Sequence, residues 1–149
     1  MIELETWISM GSLGMAIMFV LLMISFYLFL LGPDKKGPNV FVDPEGVLIQ
    51  IVSISGAPSL ILAGTSVGFQ KKHHTKFAAL ILVIVGILLL AGMIPVVMIT
   101  PKINASFLAP GIDSIPYIFI IGGTAIAGIG AYLIKKSKNY GKNLEDEVD

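Results

Sequence analysis

The chain has 149 residues, of which 55% are hydrophobic and 13% charged, with a formal net charge of zero. A soluble domain carries about 25% charged residues, so the polar chemistry here is too sparse to cover a water-facing surface, and a bilayer removes that need. Balanced charge argues against a general attraction to nucleic acid, and the absence of cysteine excludes disulfides, thiolate metal centres and cysteine nucleophiles.

These bounds predict an all-α integral membrane protein with no soluble domain. The first residues, MIELETW, are acidic where a secretory signal is basic, and the apolar stretch behind them is longer than a signal's. The first helix is therefore expected to be retained. It is predicted over 8–31, rich in Met (Met10, Met15, Met18, Met23) and Phe, with Trp7 at an interfacial position.

Asp43-Pro44-Glu45 reads as N-cap, first-position proline and first-turn carboxylate, and opens a second apolar segment over 47–69. That segment is dotted with Ser, Thr, Gly and Pro58 but holds no charge. Its length suffices to cross, which gives four transmembrane helices, or three if 47–69 does not cross.

The basic stretch QKKHHTK, residues 70–76, holds the chain's two histidines. Neighbours on a helix point about 100° apart, so His73 and His74 cannot share one ion, and the loop offers no Cys, Asp or Glu to complete a metal shell. Lys71, Lys72 and Lys76 instead read as an anchor at an anionic leaflet.

A third span is predicted over 77–100, with large aliphatics on every face and Gly86, Ala91 and Gly92 as small interruptions. The following loop carries Asn104-Ala105-Ser106, a glycosylation sequon. Asp113, Ser114 and Pro116 open a fourth span over 115–134, and a charged tail follows at 135–149. That tail turns from basic to acidic with few groups able to build a core, and is expected to be solvated.

With four spans, Lys71, Lys72, Lys76, Lys135, Lys136, Lys138 and Lys142 share one side, against Lys35, Lys36 and Lys102 on the other. Positive charge favours the cytoplasm, so the C-terminus and loop 70–76 are expected inside and the sequon outside, in the cell membrane. A three-span chain changes only the side of the N-terminus.

Two small-residue faces emerge from helical spacing. Ser55, Gly56, Ser59, Ala63 and Ser66 share one side of the second helix, and Gly123, Thr124, Ala127, Gly128, Gly130 and Ala131 one side of the fourth. In lipid, close backbone approach and interhelical hydrogen bonds drive association. The second and fourth helices are therefore expected to pack together, with the first and third peripheral. Gly64 and Gly68 also form a GxxxG pair.

The spans lack Asp, Glu, Lys, Arg and His between their ends. Such groups mark proton relays, ion paths and haem ligands within membranes, and without them general acid–base chemistry has little to work with. The acidic residues Asp34, Asp43, Glu45 and Asp113 lie in loops, where helix capping explains them better than a cation site. The expected function is that of a non-catalytic accessory or scaffold subunit in a larger membrane complex, with no cofactor. The alternative is a small oligomeric channel or carrier for a neutral solute along the serine face.

Overall fold

The computed structural model describes residues 4–32, 37, 43–70, 76–103, 105 and 111–148, the side chains at 5, 137 and 140–148 excepted. Regular structure among them is helical throughout.

Helix α1 covers Leu4–Leu31, starting a turn earlier than its apolar stretch predicts. It stops at Gly32, whose φ of 65° is left-handed. A Cβ there would lie 2.1 Å from the Gly37 carbonyl oxygen, so the turn requires glycine on both counts. The Gly37 N–H in turn donates to the Leu31 carbonyl at 3.0 Å.

The second apolar segment is one continuous rod in three pieces: α2 (Pro44–Ile51), a π-helical turn (Val52–Gly56) and α3 (Ala57–Gln70). Asp43 occupies the N-cap position in extended backbone, with Pro44 at the first helical position, but its side chain makes no capping hydrogen bond. Its contribution there is charge at a helix N-terminus. The π turn has a local cause. Pro58 lacks an N–H and its ring crowds the carbonyl four residues back. The chain responds with one wider turn, in which the Ala57 N–H reaches five back to the Val52 carbonyl.

Helix α4 (Lys76–Ile99) contains Pro95 and runs into a short 3₁₀ turn at Thr100–Lys102. Helix α5 covers Ile115–Val148. Sequence patterning ends the fourth span at 134, yet the helix continues through the charged segment. Lys, Glu and Leu are good helix formers, and extending a nucleated helix costs little. At 1.5 Å per residue it is roughly 50 Å long, against roughly 30 Å for a hydrocarbon core.

Four helical segments are long and apolar enough to cross a membrane: Thr6–Leu31, Pro44–Gln70, Lys76–Lys102 and Ile115–Lys136. All four carry large exposed apolar side chains, among them Leu21, Ile61, Met98 and Ile121, the last 70% exposed. An apolar coat this extensive suits a multi-pass helical bundle in lipid.

The helix pairing differs from the expected one. α4 packs along α5, α1 packs along both α4 and α3, and α3 meets α5 only lightly. The third span is therefore central, and the second and fourth spans do not form the main pair. The reason lies in which glycines meet. A Cβ on Gly86 of α4 would fall 2.4 Å from the Gly123 carbonyl oxygen and 2.6 Å from the Ala127 Cβ. A Cβ on Gly130 would in turn lie 3.0 Å from the Ala79 carbonyl oxygen. The Gly123, Ala127 and Gly130 part of the small face of α5 is thus taken up by α4, and the serine face of the second span by α1.

At mid-height three helices converge on Gly56, the last residue of the π turn. The Phe19 ring of α1 and the Phe119 ring of α5 stack at 4.2 Å between centroids, tilted by 35°. A Cβ on Gly56 would sit 2.7 Å from Phe119 and 2.9 Å from Phe19. Nearby, Gly92 of α4 leaves room for Val20 of α1.

Candidate functional site

Most of the buried polar side chains among the described residues lie along the α1–α3 contact. Ser9, Ser12, Ser59, Ser66 and Gln70 are all buried there. The Ser9 and Ser66 hydroxyls bond each other at 2.5 Å, and the Gln70 amide N–H donates to the Ser66 oxygen at 2.8 Å. One turn deeper, the Ser12 hydroxyl donates to the Ser59 carbonyl at 2.8 Å and the Ser59 hydroxyl to the Ser12 carbonyl at 3.1 Å. Ser55 closes the column by donating to the Ile51 carbonyl on its own helix at 2.8 Å.

This seam can fasten two helices; its described members are serines and one glutamine, none of them a general base. The Ser59 and Ser66 hydroxyls are engaged with α1, and that of Ser55 with its own helix. One acceptor stands apart: the Gln70 Oε1 is buried with no hydrogen-bond partner among the described residues, a costly arrangement.

Of the residues singled out in the sequence, Ser55, Gly56, Ser59, Ala63, Ser66 and Gly123 are buried and Ala127 is half-buried. Thr124, Gly128 and Ala131 are exposed, on the side of α5 turned away from α4. Lys76, Lys135, Lys136 and Lys138 are exposed at the end of the bundle that carries the termini. Lys71, Lys72, His73, His74 and Asn104 lie outside the described residues. No group of three or more His, Cys, Asp or Glu side chains comes together among the described residues.

Sequence patterning passed over the partners in α1. Thr6, Ser9, Ser12 and Ala16 recur at three- and four-residue spacing, a small polar stripe readable beneath the Met and Phe content. It also passed over Tyr27, fully buried, whose hydroxyl donates to the Ile112 carbonyl and ties α1 to the segment leading into α5.

At that same end, a pocket of about 200 Å³ opens between the last turn of α4 and the start of α5, lined by Val97, Thr100, Pro101, Asp113 and Tyr117. Asp113 and Tyr117 are four residues apart and lie on one side of the α5 entry, opposite Val97 and Thr100.

No family model, curated protein or solved structure matches this chain.

Proposed function

We propose that this chain is a non-catalytic polytopic subunit of a larger membrane protein complex, with its C-terminus and loop 70–76 on the cytoplasmic side of the cell membrane. The observation that carries the reading is what remains outside once the internal contacts are made. Gly64 and Gly68 on α3 are exposed, and among the described residues no other part of the bundle comes within 4 Å of an added Cβ; Gly128 on α5 is equally open. Gly64 and Gly68 are four apart and share a face, as do Thr124, Gly128 and Ala131. The threonines beside them bond inward, Thr65 to the Ile61 carbonyl and Thr124 to the Ile120 carbonyl, so these faces need no water. Small, self-satisfied surfaces of this kind let another helix approach closely in lipid. A carrier along the serine face draws less support, since the Ser59 and Ser66 hydroxyls are spent on α1 and that of Ser55 on its own helix.

Purification from the native membrane in mild detergent tests the reading. A stoichiometric partner chain should accompany the wild-type protein and be lost from Gly64→Leu/Gly68→Leu, with thermal stability unchanged. A wild-type chain that purifies alone, or that moves a solute when reconstituted alone, overturns it.

A further inference from the structure

We propose that the pocket between α4 and α5 binds a small organic ammonium group, independently of the subunit role above. Its described polar lining consists of Asp113, Thr100 and Tyr117, with no cationic side chain among them. Asp113 is exposed and forms no ion pair with a described residue. The Thr100 hydroxyl already donates to the Val96 carbonyl at 2.8 Å, so toward the pocket it has only lone pairs to offer. Pro101 has no N–H, which removes a backbone donor from the opposite wall. The pocket lies between the carbonyl end of α4 and the amide end of α5, so the two helix dipoles offset each other there. The Asp113 carboxylate and the acceptor-only Thr100 favour a cation.

The kind of cation follows from the rest of the lining. Tyr117 presents an aromatic ring, and Val97 and Pro101 present hydrocarbon. A bare hard ion wants several oxygens at short range, whereas an alkylammonium gains from a ring face and apolar flanks together with one carboxylate. A volume of about 200 Å³ is roughly that of six or seven water molecules, enough for an ethanolamine- or choline-sized group. The pocket is anchored from behind, because Tyr27 holds Ile112 next to Asp113. It lies at the end of the apolar segment Lys76–Lys102, where lipid headgroups would meet the bundle. The ammonium can therefore come from a lipid headgroup or from a free amine.

The test uses the purified full chain labelled with 3-fluorotyrosine, with the Tyr117 resonance assigned from Tyr117→Phe. In a maltoside micelle, ethanolamine hydrochloride should move that resonance saturably, while sodium chloride at equal ionic strength should not. Asp113→Asn should weaken binding about fivefold and Val97→Asp should strengthen it, with both variants retaining the wild-type melting temperature. In vesicles, a resonance already displaced by phosphatidylethanolamine but not by phosphatidylglycerol identifies the lipid as the source. Displacement by free ethanolamine alone identifies the free amine, and either result supports the site. No saturable movement, or a titration that Asp113→Asn and Val97→Asp both leave unchanged, overturns it.

Discussion

Ser12 and Ser59 hold each other's backbone: each hydroxyl donates to the other residue's carbonyl, at 2.8 and 3.1 Å, across the α1–α3 contact. Buried interhelical hydrogen bonds of this type contribute about 0.6–2 kcal/mol each. Ser12→Ala and Ser59→Ala should each lower stability by about 1 kcal/mol in micelles. Because the two bonds share one geometry, a double-mutant cycle should show a coupling of at least about 0.5 kcal/mol. Strict additivity would mean that the two bonds form independently.

The Gly56 crowding makes a sharper prediction. Gly56→Ala drives a methyl group to within 2.7 Å of Phe119, and overpacking of this kind costs about 1–3 kcal/mol. The melting temperature should drop accordingly, and adding Phe119→Leu should recover part of the loss. A tolerated Gly56→Leu would show that the three helices do not meet as described.

Helix pairing can be read by crosslinking, in a chain with no native cysteine to interfere. A Cβ on Gly123 lies 3.0 Å from the Leu89 Cβ, a small adjustment away from the roughly 3.5–4.5 Å of a disulfide. Leu89→Cys/Gly123→Cys should oxidise readily in the membrane, and Ser59→Cys/Ala127→Cys should not. The opposite order would restore the pairing of the second and fourth spans.

Gln70 offers a substitution that should help. Its amide nitrogen is bonded to Ser66 while its oxygen is buried without a partner among the described residues. Replacing it with Met removes one bond, and with it an unsatisfied acceptor that costs about 1–3 kcal/mol. Gln70→Met should be neutral or stabilising by about 1 kcal/mol in chemical unfolding. A clear loss of stability would mean that the carbonyl has a partner in the membrane.

Tyr27→Phe removes the tie between α1 and the entry to α5 and leaves the Ile112 carbonyl buried alone. Stability should fall by about 1–3 kcal/mol, and amide exchange should quicken selectively over 111–115.

Hydropathy made the four rods readable, because length and absence of charge are properties of each segment alone. Pairing was not readable in the same way. Gly86 looks like a gap in an aliphatic helix until Gly123 and Ala127 stand opposite it, and the serines of the second span look like half of a pore until Ser9 and Ser12 fill the other half. Pro58 stands in the second span as one small residue among several, and the wider turn it causes at Val52–Gly56 shows only in the backbone hydrogen bonds. In sequence the pocket residue Asp113 looks like a helix cap; the neighbouring wall at Val97 and Thr100 comes from the end of another helix, earlier in the chain.

α5 is one unbroken helix from Ile115 to Val148. From Phe119 to its far end is roughly 40 Å of stiff rod, most of the second half lying beyond the apolar stretch. Whatever grips that end holds a lever arm. Because a continuous helix is stiff, a rotation of that end would be carried along the rod toward the ring that leans on Phe19 and Gly56.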